Sequence, residues 1–263
     1  MTCYAWRKGE GEELYNHLVE TYRVAKQMWE LEALSKKVSK LTGLEREACR
    51  EAVLAAALLH DIGKASVTYQ KECAEGECEE FRQHYLVSTF YAYIALKEGV
   101  GIAPPTDPRT LAEMLSGRRE GEREEVAALL VLLPIALHHY HQIRSYRSLE
   151  YSGDEASARK HHAIYSGCRG CIEELARFVD ENFNCLRGLK RIEEVHLFIE
   201  ASEGPARGTF VEALIFVQNL ATAVKGVGTG TSSLALAVEA AAGIVNLSDG
   251  AVAARARRER ART

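Results

Sequence analysis

Apolar residues recur at intervals of three and four along most of this chain, and this spacing constrains the fold more than any other feature. In the first such stretch, Leu14, Leu18 and Tyr22 fall on one face of a helix. The alternation typical of a strand is absent from the sequence, apart from the ambiguous segment 195–199. The sequence therefore predicts an all-α protein.

Seven stretches carry the helical spacing: residues 14–38, 45–59, 84–96, 126–140, 171–183, 210–224 and 234–262. Three segments rich in glycine, proline or polar residues interrupt it: 99–125, 142–153 and the glycine-rich segment 226–231, which is typical of a hinge or turn. Because the sequence shows no internal repeat and no long linker, we expect a single all-α domain over residues 1–263.

Composition excludes several classes of protein. Apolar residues make up 47% of the chain and charged residues 27%, which excludes a disordered protein. The net charge of −4 means that a polyanion would have to meet a local basic patch or bound cations. The longest apolar run, 126–137, is too short to cross a bilayer, and no signal peptide is evident, so we expect a cytoplasmic protein without a membrane partner.

The seven cysteines argue against a disulfide framework, because their number is odd and no export signal precedes them. Cys168 and Cys171 form the one close pair and follow His161 and His162, so a zinc site is an alternative. The spacing matches no common zinc finger, and unpaired thiols are the preferred interpretation.

Two pairs of polar residues each close an apolar helix. His60-Asp61 ends one helix and His138-His139 ends another. Adjacent helical residues point about 100° apart, so each pair can reach two neighbouring cations. A single His-Asp dipeptide is weak evidence, but two such pairs at the edge of a core favour a metal site over structural histidines.

The order of these residues resembles that of the HD-type metal-dependent phosphohydrolases. More closely, the sequence resembles the HD nuclease of CRISPR type I interference, over residues 4 to about 260. The resemblance rests on Tyr4-Ala5, His17, LLHDIGKAS with His60, Asp61, Lys64 and Ser66, Gln70, FRQH ending at His84, Ser88, ALHH ending at His139, and NLSDGAVAARAR with Asp249. Tyr85 departs from the pattern, because the family often has an acidic residue there.

The resemblance implies an all-α HD domain that binds two divalent cations. One cation would be held by His17, His60, Asp61 and Asp249, and Asp61 would bridge to a second held by His84, His138 and His139. Lys64 would join Asp61 as a catalytic residue by neutralising charge on the scissile phosphate. Imidazole-rich ligands favour Mn²⁺, Co²⁺, Ni²⁺ or Fe²⁺ over Mg²⁺.

The function implied is cleavage of single-stranded DNA, and possibly of RNA, together with a separate CRISPR helicase subunit and an RNA-guided surveillance complex. The chain looks like a stand-alone nuclease subunit, and segment 226–231 lacks the Gly-Lys-Ser/Thr of an ATPase loop. An alternative is a small-molecule HD phosphohydrolase acting on nucleotides or cyclic nucleotides. A degenerate scaffold is disfavoured, because every expected ligand is present.

Several residues keep two interpretations. Asp249 is either a metal ligand or a helix N-cap. Ser88 either orients His84 or bonds back to its own helix. His141, His161, His162 and His196 fall outside the motif order, and we expect them to be structural or surface residues.

Two basic segments are candidates for contact with nucleic acid. Residues 142–160 interleave basic and aromatic side chains, which suits single strands but is equally consistent with a solvated loop; these are Arg144, Tyr146, Arg147, Tyr151, Arg159 and Lys160. The C-terminal arginines could follow a phosphate backbone, dock a partner or end a solvated helix; these are Arg255, Arg257, Arg258, Arg260 and Arg262.

Overall fold

The computed structural model describes residues 2–7, 11–78, 81–139, 149–227 and 232–260. Within these ranges the chain forms twelve α-helices and one small antiparallel sheet, which confirms the all-α prediction. The elements are β1 (Tyr4–Trp6), β2 (Glu12–Glu13), α1 (Leu14–Gln27), α2 (Trp29–Thr42), α3 (Arg46–Leu59), α4 (Val67–Glu75), α5 (His84–Ala95), α6 (Pro108–Leu115), α7 (Arg123–Leu137), α8 (Glu155–His162), α9 (Arg169–Asn182), α10 (Val195–Glu200), α11 (Gly204–Gly226) and α12 (Ser233–Arg260).

The predicted helices match the observed ones except at five places. Two helices, α4 and α8, lie outside the predicted stretches. The stretch 14–38 is two helices, because the backbone is extended at Met28. The ambiguous segment 195–199 lies in α10. The interruption 99–125 contains α6, which begins where the Asp107 carboxylate accepts a hydrogen bond of 2.7 Å from the Thr110 N–H. Of the predicted hinge 226–231, residues 228–231 lie outside the described ranges.

The centre of the structure is formed by α3, α5 and α7. Every residue of α5 is buried, as is α3 from Glu51 to Leu59. A helix that is apolar on all sides must be enclosed by other elements. Accordingly, α3 packs against α1, α2 and α7, while α5 packs against α7 and α11. The polar residues at the ends of these helices therefore lie inside the protein rather than on its surface.

The last helix, α12, covers this centre. By length and composition alone residues Ser233–Arg258 could cross a membrane, which is weak evidence, and here α12 packs against α1, α2, α3 and α7. Val238, Ala241 and Val245 are buried in these contacts. Asp249 lies in the middle of α12, so the interpretation of Asp249 as an N-cap is wrong.

The cysteine prediction is wrong for four of the seven residues. Cys3 forms a disulfide with Cys168, 165 residues away, and Cys73 forms one with Cys78. The odd number of cysteines could not reveal the Cys3–Cys168 pair, because only the fold brings the chain before β1 beside the turn before α9. The zinc alternative is also wrong, since the Cys168 thiol is used in a disulfide. Three cysteines are free thiols, as predicted: Cys49, Cys171 and Cys185.

We expect thiol titration of the unfolded, non-reduced protein to find three thiols rather than seven. Replacing Cys3 by serine should lower the free energy of unfolding by about 2–5 kcal/mol, because the disulfide constrains a long loop in the unfolded chain. Urea unfolding measures this loss. Cys185→Ser is the matched control and should unfold like the wild type, since Cys185 is free and exposed. Seven reactive thiols would contradict the prediction.

Candidate metal centre

Three helix ends meet in the interior. His60 and Asp61 directly follow α3, His138 and His139 directly follow α7, and His84 is the first residue of α5. The C-terminal ends of α3 and α7 carry the negative end of the helix dipole, which favours a cation between them. Two further helices, α1 and α12, add one polar side chain each from the flanks.

The structure brings all seven predicted metal ligands together in two groups. The first group comprises His17, His60, Asp61 and Asp249, and the second comprises Asp61, His84, His138 and His139. Within each group the candidate ligand atoms lie within 4.8 Å of one another, so either group could hold a metal ion. His138 and His139 share one group, although helical geometry would have allowed this pair to serve two cations.

The two oxygens of Asp61 face different groups. Asp61 Oδ2 lies 3.3 Å from His17 Nε2 and 3.5 Å from His60 Nε2. Asp61 Oδ1 lies 2.8 Å from His84 Nε2 and 3.5 Å from His138 Nε2. Asp249 Oδ1 completes the first group at 3.2 Å from His17 Nε2. A carboxylate placed in this way can bridge two cations.

The histidines are oriented by carbonyls three residues earlier. His60 Nδ1 lies 2.9 Å from the Ala57 carbonyl oxygen, and His138 Nδ1 lies 2.6 Å from that of Ile135. His84 Nδ1 makes the same contact with the Phe81 carbonyl. Because a carbonyl only accepts hydrogen bonds, each Nδ1 carries the proton and donates it. Each Nε2 then presents a lone pair to the centre, which is the form that binds a metal.

Two of these Nε2 atoms have no hydrogen-bond partner among the residues that the structure describes. His60 Nε2 and His138 Nε2 are completely buried, and each faces an oxygen of Asp61. A lone pair facing a carboxylate oxygen is unfavourable unless a positive charge lies between them. The donor set of imidazoles and carboxylates suits divalent transition metals, so the residues fit the group that the sequence predicted.

Charge stabilises the carboxylates. Burial opposes ionisation of Asp61, but the Lys64 ammonium and the imidazoles of His60 and His84 hold its pKa well below the usual value. Burial also opposes ionisation of Asp249, but the neighbouring imidazoles of His17 and His60 lower its pKa.

The pKa values of two buried histidines are shifted in opposite directions. Burial lowers the pKa of His138 to about 4. For His17, burial acts in the same direction, but Asp249, Asp61 and Glu12 raise its pKa well above the ordinary value. The three neighbouring carboxylates therefore favour the protonated form of His17, whereas burial favours the neutral form of His138.

Lys64 lies at the edge of the centre. Its Nζ atom is 2.5 Å from Asp61 Oδ2 and 5.0 Å from the centroid of the Phe81 ring. The side chain is 12% exposed, so Lys64 is less enclosed than Asp61, whose side chain is 3% exposed. This position is compatible with the predicted contact to a phosphate.

Ser88 has a role that neither sequence interpretation anticipated. Its hydroxyl accepts a hydrogen bond of 2.8 Å from the N–H of Gly63. This bond holds the turn after Asp61 against the first turn of α5. A Cβ atom at Gly63 would lie 2.4 Å from the His84 carbonyl oxygen and 2.5 Å from Ser88 N, so only glycine fits.

Three other residues make contacts in the centre that the sequence did not predict. Glu12 contacts His17 Nδ1 at 3.3 Å and accepts a hydrogen bond of 2.7 Å from Trp6 Nε1. Gln70 Nε2 donates hydrogen bonds of 2.8 Å to the carbonyls of Tyr4 and Lys64, which joins β1 to the turn after Asp61. Tyr85 packs its ring edge-on to His138 and tilted against His139. The one available sequence signal for Glu12 was the acidic run before His17, which consists of Glu10, Glu12 and Glu13.

Among the residues that the structure describes, the basic segments contribute no ligand to either group. Arg159 stacks on Phe210 at 4.1 Å, and Arg255 lies 3.6 Å from Glu20 on α1. Arg144, Tyr146, Arg147, His141 and Arg262 lie outside the described ranges. His161, His162 and His196 belong to neither metal group, as predicted.

We expect Gly63→Ala to lower the free energy of unfolding by about 1–3 kcal/mol, because the added methyl group must push α5 away from the turn. The metal content should also fall, since the same displacement of α5 separates His84 from Asp61. Gly170→Ala in α9 is the matched control, because a Cβ there meets open space. Urea unfolding and metal analysis check both variants, and equal behaviour of the two would contradict the steric argument.

Comparison with known proteins agrees with this geometry. The sequence matches the family model described as "Cas3, HD domain" over residues 6–184, which is more than half of the chain. The matched range includes every candidate ligand except Asp249, which α12 supplies. A search of curated proteins finds no match. The chain therefore belongs to the Cas3 HD-domain family.

Proposed function

We propose that this chain, a metal-dependent HD nuclease of a CRISPR system, hydrolyses phosphodiester bonds of single-stranded DNA at a dinuclear centre. The observation that carries the proposal is the placement of Asp61, whose two oxygens each face a separate group of histidines. Asp61 is completely enclosed by these side chains and Lys64, and a buried carboxylate of this kind requires positive charge on both oxygens.

The proposed ligands are those predicted from the sequence. His17, His60, Asp61 and Asp249 hold one divalent cation, and Asp61, His84, His138 and His139 hold the other. Mn²⁺, Co²⁺, Ni²⁺ and Fe²⁺ suit these ligands better than Mg²⁺. A bound pair of this kind activates water and stabilises charge on the attacking and leaving oxygens of a phosphodiester.

The chain's own residues orient this chemistry. The carbonyl contacts of His60, His84 and His138 fix the rings before substrate arrives, so little reorganisation is needed. In the proposal Lys64 directs its ammonium group toward the scissile phosphate. The closeness of the Lys64 ammonium group to Asp61 supports this role. Negative charge that develops on a phosphate held beside Asp61 would be close to this ammonium group.

The proposed partners follow from the net charge of the protein and from segment 226–231, which lacks the motif of an ATPase loop. With a net charge of −4, the protein has no overall attraction for DNA. We propose that a separate helicase subunit and an RNA-guided surveillance complex deliver the single strand in the cytoplasm. Residues 1–263 would act as one domain, because α12 supplies Asp249 to the centre formed by the earlier helices.

We expect the metal-loaded protein to degrade labelled single-stranded DNA and to leave a panel of nucleotides and cyclic nucleotides intact. Chelation should stop cleavage, and added Mn²⁺ should restore it. Asp61→Asn should abolish cleavage, because an amide cannot supply two anionic oxygens. Asp180→Asn is the matched control and should cleave normally, since Asp180 is paired with Arg187 on the surface.

Two results would contradict the proposed function. Cleavage by Asp61→Asn at the wild-type rate, after contaminating nucleases are excluded, would remove the bridging carboxylate from the mechanism. Hydrolysis of nucleotides in preference to DNA would instead support the small-molecule phosphohydrolase.

We expect Asp249→Asn to reduce the metal content from about two ions toward one per chain, because one anionic ligand of the first group is lost. The fold should persist, since the Asp249 side chain is 22% exposed and an amide has the same size. Elemental analysis of the purified variant, with Asp180→Asn as control, measures the stoichiometry. Full metal content together with full activity would exclude Asp249 as a ligand.

A further inference from the structure

Helix α12 supplies Asp249 to the first metal group and then continues for about three further turns to Arg260. Asp249 is the most exposed ligand of that group. Its side chain is 22% exposed, compared with 5%, 0% and 3% for His17, His60 and Asp61. A phosphate can reach buried ligands only where the centre is open to solvent. The side on which Asp249 lies is therefore an entrance to the metal centre.

Beyond Asp249, α12 presents small residues on the same side of the helix. Gly250 and Ala254 are exposed, and Ala253 is half-buried. A Cβ atom added at Gly250 would meet open space within the described part of the structure. These residues leave room for an extended chain to lie along α12 as it leaves the entrance.

Arg257 is the first basic residue on this path. Because each helical residue rotates by 100° and rises by 1.5 Å, Arg257 lies about 80° around the helix axis from Asp249 and about 12 Å farther along it. Arg258 is rotated by about 180° from Asp249 and so lies on the opposite side of the helix. Both arginines are exposed.

The charge of Arg257 is not neutralised by any residue that the structure describes. Arg255, by contrast, lies 3.6 Å from Glu20 of α1. The exposed residues Arg109 and Arg177 each pair with a glutamate of their own helix. The guanidinium of Arg257 is therefore available to a phosphate, whose geometry it matches. In a protein with a net charge of −4, attraction for DNA requires such a local cation.

We propose that Arg257 binds a phosphate of the DNA backbone while the single strand lies along α12. A stacked strand advances about 3.4 Å per nucleotide, so this phosphate is about three or four nucleotides from the one at the metal centre. The assignment rests on the proposed function and extends it, because it gives the path of the substrate on one side of the centre. Helix α12 then has two roles, since it supplies one metal ligand and guides the strand.

The test measures how tightly the metal-loaded protein binds single-stranded oligodeoxynucleotides at several salt concentrations. Phosphorothioate linkages slow hydrolysis during the measurement. We expect Arg257→Gln to weaken binding about fivefold at low salt, which is the scale of one exposed charged contact. The slope of the logarithm of the binding constant against that of the salt concentration should become less steep by about 0.7, because one phosphate contact is lost. The advantage of the wild type should therefore shrink about threefold when the salt concentration is raised about fourfold.

Arg258→Gln is the matched control, because it removes the same charge from the adjacent exposed residue on the opposite side of α12. This variant should bind like the wild type. The charge reversal Arg257→Glu should enlarge the loss, whereas Arg258→Glu should not produce it. Metal content should stay at about two ions per chain in all four variants, because every proposed ligand is retained.

The length of the strand supplies a second measurement. The loss caused by Arg257→Gln should appear only in strands that can reach from Asp249 to Arg257, which requires about four nucleotides. A loss of equal size at every length would contradict the proposed path.

The outcomes separate this inference from the function on which it rests. Equal effects of Arg257→Gln and Arg258→Gln, or a salt slope that neither variant changes, overturn the proposed contact even if the protein cleaves DNA. In that case the arginines only end a solvated helix or bind an acidic partner. Failure of the metal-loaded wild type to bind or cleave any single strand overturns the proposed function and the proposed contact together.

Discussion

The ionised carboxylate of Asp61 is the constraint on which the rest of the centre depends. A buried carboxylate is unfavourable unless positive or donor groups surround both oxygens. Lys64 supplies positive charge at Asp61 Oδ2, and the histidines around the two oxygens come from α1, from the start of α5 and from the ends of α3 and α7. Because the Nε2 atoms of His60, His84 and His138 present lone pairs to Asp61, the remaining positive charge would come from the proposed cations. The packing of these helices therefore places the ligands that such cations would need.

Local helix-end geometry explains how the ligands are prepared before any metal binds. A histidine that follows a helix can donate Nδ1–H to a carbonyl three residues earlier, which satisfies one of the unpaired carbonyls at the helix end. His60 and His138 both do so. His196, at the start of α10, makes the same contact with the Glu193 carbonyl but belongs to neither metal group. This contact orients a single imidazole ring. A metal centre forms only where several helix ends meet.

Within the described ranges, buried ring nitrogens without a hydrogen-bond partner occur at His17, His60 and His138 in the centre and at His162. Each lowers stability when nothing satisfies it, and those of the centre lie where metal ions are proposed. This pattern is expected of a binding protein, because sites prepared for a ligand retain groups that the folded chain alone cannot satisfy. The disulfides add stability elsewhere, since Cys3–Cys168 and Cys73–Cys78 join the segments around β1, α4 and α9.

The sequence by itself determined the fold class and the candidate ligands. Helical spacing of apolar residues is a local property, and the His-Asp and His-His pairs mark helix ends, so both can be read from neighbouring residues. The assignment of His17, His84 and Asp249 rested instead on the resemblance to the HD nuclease family. The tertiary structure decided which oxygen of Asp61 faces which histidines, and that Asp249 lies inside a helix rather than at its start. It also decided the Cys3–Cys168 pairing, the contact between Ser88 and Gly63, and the burial of His162. These features join residues far apart in the chain, and their energies depend on packing and desolvation that no local pattern records.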